Sequence, residues 1–188
     1  MSGDKRWPYS EALAVAEELR DFLAGACKRI EIAGSLRRQR EDVGDIELLC
    51  IPLELGLALG VDTLDRAIQT LMVHDVLALR PDVKGRTTYG SQNKLMLHVL
   101  SGIGVDIFST TTEHWGMAMV VRTGSAEFNI KMMARFRQLG FQGHAYPWNG
   151  KGKQHGSIST PNGEIDCPTE EDVFRVLGWQ YIDPRERK

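Results

Sequence analysis

Three acids in this sequence sit where extended chain would present them together. Asp45 and Glu47 flank Ile46, and in a strand the alternation of side chains puts both carboxylates on one face and Ile46 on the other. Asp106, in Val105-Asp106-Ile107, repeats the pattern of one acid between apolar neighbours. Adjacent carboxylates repel and tend to raise one another's pKa, so such a pair either forms the polar face of an edge strand or holds a cation. Hard oxygen donors in small number suit Mg²⁺, which keeps waters and takes phosphate oxygens to complete its shell. Upstream, Gly34-Ser35-Leu36-Arg37-Arg38 stands at the end of a strand. Glycine lets a backbone approach a phosphate, serine offers a hydroxyl, and arginine offers a forked cationic donor. Each feature alone reads as an ordinary turn or solvated face. Side by side, a phosphate-holding turn and a cation-holding pair suit nucleoside triphosphate chemistry.

The surrounding pattern supplies elements to carry them. Leu13, Ala16, Leu19 and Leu23 recur at helical spacing and predict a helix over 10–24. Strands are expected at 29–33 and 45–51, the second stopped by Pro52. Leu64, Ile68, Leu71 and Met72 predict a helix over 61–73. Short strands are expected near 76–80, 86–90, 94–100 and 104–109. Two helices follow, over 112–121 and then to about 138, separated by Thr123-Gly124-Ser125. Residues 141–163 read as a loop with short strands. Thr169 with Asp172 resembles a capping box opening a helix through Leu177. Strands and helices mixed with hairpin-length gaps predict an α+β fold with a mixed or antiparallel sheet flanked by helices, not a doubly wound one.

Composition excludes several classes. The 188 residues carry 42% hydrophobic and 26% charged side chains, with 19 Gly and 7 Pro, so the chain is neither collagen-like nor disordered. No apolar run approaches the ~20 residues that span a bilayer, and no signal peptide is visible behind the first residues. Cys27, Cys50 and Cys167 are odd in number and widely spaced, which predicts reduced thiols, with no disulfide or zinc framework. An intracellular, cytoplasmic setting, in a nucleoid or a host cytoplasm, is expected. The net charge of −2 conceals a basic stretch. Between Trp115 and Ser159 stand Arg122, Lys131, Arg135, Arg137, Lys151 and Lys153 against the single acid Glu127. That stretch is either a solvated face or a surface for phosphate backbone.

The order Gly-Ser, loop, Asp-x-Glu and a later lone Asp resembles the nucleotidyltransferase superfamily. Further segments narrow the resemblance to family X DNA polymerases, relatives of DNA polymerase beta. Thr123-Gly124-Ser125-Ala126-Glu127-Phe128-Asn129 is similar to that family's Thr-Gly-Ser-x-x-x-Asn, and Lys5-Arg6-Trp7-Pro8 to the Lys-Arg-Ile-Pro that opens its palm. So are Pro168–Phe174 and the Leu-Gly-Trp-x-Tyr-x-x-Pro-x-x-Arg tail from Leu177 to Arg187. These motifs run in order through nearly the whole chain.

The resemblance implies a catalytic palm over 1–111 and a small C-terminal α/β thumb over 112–188 that contacts the nascent base pair and DNA. The segment before Gly34 is too short for the lyase or helix-hairpin-helix domains of larger relatives. Asp45, Glu47 and Asp106 would bind two Mg²⁺ ions, with Mn²⁺ a possible substitute, and Asp106 would help activate the primer 3′-hydroxyl. Gly34, Ser35, Arg38 and Gly44 would hold the triphosphate, assisted by Arg6. Thr123 and Gly124 would line the sugar pocket, Asn129 would reach the incoming base, and Lys131 and Arg135 would touch DNA. The implied partners are dNTP and primed or gapped DNA, bound by a monomer or with an accessory DNA-binding protein. The implied activity is template-directed polymerisation, as in short gap filling during repair or replication. Rival readings are a non-templated or small-molecule nucleotidyltransferase, a DNA-binding module with a decayed site, and a regulatory domain of a longer enzyme.

The sequence departs from the family pattern at four places. Glu47 stands where Asp is usual, Val121-Arg122 replace an aromatic pair that helps exclude ribonucleotides, Met133 replaces an arginine, and Gly104 stands where an arginine often precedes the third acid.

Overall fold

The computed structural model describes residues 5–55, 61–82, 84–144 and 156–188. The chain forms two compact units that divide between Ser109 and Thr110.

In the first unit the order is β1 (Trp7–Pro8), α1 (Tyr9–Ala24), β2 (Cys27–Ile32), the one-turn α2 (Gly34–Arg37), β3 (Asp42–Val43) and β4 (Asp45–Pro52). β5 (Glu54–Leu55), β6 (Val61–Asp62), α3 (Thr63–Val73), β7 (Leu77–Leu79), β8 (Asn93–His98) and β9 (Gly104–Ser109) complete it. The main sheet runs β2-β4-β9-β8-β7. The β4–β9 pair is parallel and the others are antiparallel, so the sheet is mixed, as the pattern predicted.

Periodicity explains the layers. Ala12, Ala16, Leu19 and Leu23 bury one face of α1, and Leu64, Ile68 and Leu71 one face of α3. They share a core with Ile46, Leu48 and Cys50 of β4 and Val105 and Ile107 of β9. At roughly 1.5–3 kcal/mol per fully buried large aliphatic side chain, that alternation fixes the register. A slip of one residue would drive Asp45, Glu47 and Asp106 into this core.

Two expectations fail locally. Residues 86–90 form no strand; only single bridges pair Pro81 with Thr87 and Tyr89 with Lys94. The Asp82 side chain accepts the backbone N–H groups of Lys84 and Arg86, at 2.8 and 2.9 Å, and the Arg86 guanidinium, a local alternative to a ladder. Hydrogen bonds from Arg86 hold the Asp82 carboxyl below its usual range. The turn expected at Gly34-Ser35 is instead the start of α2.

The second unit holds α4 (Trp115–Thr123), α5 (Ala126–Gln138), β10 (Gln142–Gly143), β11 (Ile158–Thr160), β12 (Gly163–Ile165) and α6 (Glu170–Leu177), then a 3₁₀ turn at Pro184–Glu186. Its short antiparallel sheet runs β10-β11-β12. Ser125 caps α5 by accepting the Phe128 N–H at 3.0 Å. Phe128, Met132 and Phe136 then recur on the buried face. The expected capping box at Thr169 and Asp172 is formed, and Gly178 ends α6 in the left-handed region at φ 69°.

All three cysteines are buried thiols, and none is in a disulfide with another described residue. Burial pushes the Cys167 thiol up to about 12, which removes it as a nucleophile at neutral pH. Among the described residues, no helix is long and apolar enough to cross a membrane.

Candidate active site

β4 is the second strand of five, so Asp45 and Glu47 do not lie on an edge strand. Their parallel neighbour β9 sets Asp45 against Gly104 and Glu47 against Asp106. Adjacent strands lie about 4.8 Å apart, so the three acids share one small area. It faces away from α1 and α3, because the intervening Ile46, Leu48, Val105 and Ile107 fill the core those helices cover. All three acids are partly exposed.

Gly34 is drawn to the same place by backbone. The Ala33 N–H donates to the Glu47 carbonyl at 2.8 Å. Gly34 then adopts φ +65°, and any Cβ there would collide with the Glu47 carboxylate. Only glycine satisfies both demands. Ser35 and Arg38 follow immediately, in and just after the single turn of α2.

The N-terminal motif reaches the leading end of β4 as well. β1 pairs with β3 through Trp7 with Val43 and Pro8 with Asp42. The pairing brings the Arg6 guanidinium against Gly44, where an added Cβ would lie 3.3 Å from Nη1. Arg6 Nε stands 3.8 Å from the Asp42 carboxylate, both side chains being well exposed. In the first unit, the fold thus gathers Arg6, Gly34, Ser35, Gly44, Asp45, Glu47 and Asp106 around the leading ends of β4 and β9.

One residue in this cluster carried no sequence signal. Arg80, just beyond β7, places its guanidinium against Gly104 and donates through Nη2 to Asp106 Oδ1. The only hint was the missing side chain at Gly104, and nothing local named the partner that fills the gap.

Three carboxylates on adjacent strands are the right donor chemistry for a hard divalent cation. Their side chains are not gathered on one point, however. Among the described residues no three His, Cys, Asp or Glu form a group that could hold a metal ion. Asp106 is engaged by Arg80, and Glu47 lies against Gly34.

In the second unit Thr123 ends α4, fully buried, with its hydroxyl 3.4 Å from Met119 Sδ. Gly124 has ordinary backbone angles, but a Cβ there would come within 2.7 Å of Asn129 Oδ1 and 2.8 Å of Phe128 Cδ1. Glycine is needed here for room. Asn129, in the first turn of α5, donates through Nδ2 to the Val121 carbonyl at 2.8 Å, and its Oδ1 is buried with no hydrogen bond among the described residues. Lys131 is exposed on α5. Arg135 is used inside the unit, donating through Nε to the Leu177 carbonyl at 3.1 Å. Lys151 and Lys153 lie outside the described residues.

The DNA polymerase beta thumb family model matches residues 118–188. DNA polymerase lambda of Rattus norvegicus is 27% identical over 204 aligned residues, which cover 97% of this chain. The chain spans about a third of that protein's length, 33% of it being aligned. Residues 118–188 are thus similar to the thumb of DNA polymerase beta, and the chain as a whole is similar to part of DNA polymerase lambda.

Proposed function

We propose that this chain is a DNA polymerase that adds deoxynucleotides from dNTPs to a primer 3′-hydroxyl, filling short gaps. The observation that carries the reading is the β4–β9 register, which sets Asp45, Glu47 and Asp106 on one face beside Gly34 at the start of α2. The roles assigned here divide the charge of the reaction. Asp45, Glu47 and Asp106 would hold Mg²⁺, with Asp106 on the side of the attacking hydroxyl. Bound Mg²⁺ supplies acidification of the primer hydroxyl and neutralisation of charge on the triphosphate. Ser35 and Arg38 bind the β and γ phosphates, with Arg6 and the backbone at Gly44 completing the cradle. The positions need no covalent intermediate, because orientation and charge neutralisation supply the rate. Thr123, Gly124 and Asn129 are assigned to the sugar and base of the nucleotide. Exposed Lys131 is assigned to DNA, with affinity that falls as salt rises.

The test is extension of a labelled primer on gapped, recessed and single-stranded DNA, with each dNTP and rNTP supplied separately. Extension confined to templated ends and to the complementary dNTP supports the proposal. Equal extension of a single strand, or incorporation without regard to template, would assign the chain to the non-templated branch of the superfamily. No nucleotide transfer on any substrate would leave only a binding module.

A further inference from the structure

The geometry points to Arg80 as the positioning residue of Asp106, delivered from outside the acid-bearing strands into space that Gly104 leaves open. This inference rests on the reading of Asp106 as a metal-binding acid.

Gly104 and Asp106 are two residues apart on β9 and face the same side. Gly104 is also the register partner of Asp45. A Cβ built on Gly104 would stand 2.7 Å from Arg80 Nη1 and 2.8 Å from its Cζ. Gly104 is not in the left-handed region, so no backbone conformation demands glycine there, and the room it leaves is taken by the far end of the Arg80 side chain. The base of the Arg80 side chain is fixed, since its backbone N–H donates to the Leu95 carbonyl at 3.0 Å. The ion pair is 24% and 15% exposed on its two sides, shielded enough to resist screening by salt. Arg80 Nε is buried without a hydrogen bond among the described residues, and Nη2 is the guanidinium nitrogen that meets Asp106.

Three consequences follow. Arg80 holds the Asp106 carboxylate in one orientation. It offsets repulsion among three neighbouring acids. It also competes with a divalent cation for an oxygen of Asp106.

The experiment is a two-residue cycle on the full chain. Mn²⁺ binding is read without DNA or nucleotide, by paramagnetic resonance of the free ion, with thermal unfolding in parallel. Arg80→Ala should bind Mn²⁺ about threefold to tenfold more tightly, because an adjacent cation is removed, while gap-filling turnover falls. Gly104→Ala and Gly104→Arg should each lower the melting temperature of the wild type by crowding the guanidinium. In the Arg80→Ala background Gly104→Ala should cost little, and Gly104→Arg should return Mn²⁺ affinity toward the wild-type value. Such a change of cost with background requires shared space. Unchanged Mn²⁺ affinity in Arg80→Ala, or additive effects on melting, overturns the inference. A wild type that binds no Mn²⁺ would sink the metal reading and the competition claim with it. The melting cycle would then judge the Arg80–Gly104 packing on its own.

Discussion

Arg187 and Glu170 meet in the interior of the second unit, where Arg187 Nη1 donates to Glu170 Oε1 at 2.7 Å. The arginine side chain has no exposed surface and the glutamate 9%. The guanidinium also lies 5.7, 5.3 and 5.6 Å from the ring centroids of Phe128, Phe174 and Tyr181. Its Nε donates to the Ile182 carbonyl at 3.0 Å. Arg187→Ala leaves Glu170 buried without this partner, and a loss of about 3–5 kcal/mol is expected. Replacing both residues by apolar ones of similar volume should cost much less. Urea unfolding of the single and double variants reads the difference, and a single variant within 1 kcal/mol of the wild type would contradict it.

Gly34→Ala combines a left-handed φ with a collision against Glu47. A non-glycine residue in that region costs roughly 1–2 kcal/mol, and the collision displaces a carboxylate assigned to metal. Nucleotide transfer should fall by far more than stability does. Paired melting and primer-extension measurements check this, and a variant as active as the wild type would remove Glu47 from its proposed role.

Asp106→Ala should fold, since its side chain is outside the core. Turnover should drop by more than the ~10²–10³ typical of losing one transition-state donor. Circular dichroism and single-nucleotide gap filling test the two halves separately. A near-wild-type rate would overturn the proposed mechanism.

His98 gives the first unit a dependence on pH. Burial on the α1 side of β8 holds its pKa below the usual 6.5, with Glu18 of α1 opposing in part. The unfolded chain therefore takes up this proton more readily than the folded one. Stability from His98 is complete above pH 6.5 and declines as pH falls from there towards the folded pKa. Melting temperature measured between pH 5 and 8 should show that slope, and His98→Gln should flatten it.

Thr169→Ala removes the side-chain acceptor that caps α6 and a donor to Asp172. About 1 kcal/mol of stability should be lost. The Thr169 hydrogen bonds hold the Asp172 carboxyl below its usual range. Their contribution is present above pH 3.8 and lost as pH falls through the lowered folded value. Acid unfolding of the variant should therefore show a weaker dependence on pH over that interval.

What the sequence disclosed, and what it withheld, follows the range of the forces. Alternation is local, so Asp45 and Glu47 could be assigned to one face from the sequence, whereas the β4–β9 pairing that sets Asp106 beside Glu47 is seen only in the fold. Helical spacing is equally local, and α1, α3 and α6 stand close to where Leu19, Ile68 and Val173 placed them. α2 escaped notice because a single turn is too short to show a period. The strand expected at 86–90 was lost to the side chain of Asp82. Arg80 and Arg187 are distant in sequence from the acids they pair with, and only the fold brings them together. Lys94 shows the same limit, for a lysine gives no local sign of burial, yet it is 2% exposed, with its ammonium donating to the Gly90 carbonyl at 2.9 Å.

The parallel pairing of β4 with β9 has a kinetic side. Parallel strands cannot be joined by a tight turn, and here every residue from Leu53 to Ile103 intervenes. The entropy of closing that loop must be met before the pair is rewarded. Loop-closure entropy therefore predicts that the seam between β4 and β9 forms after the pairing of β4 with β2, which a much shorter connection joins. A nascent chain would hold Asp45 and Glu47 in place while Asp106 was still unattached, so competence for chemistry would arrive only with the final closure of the sheet.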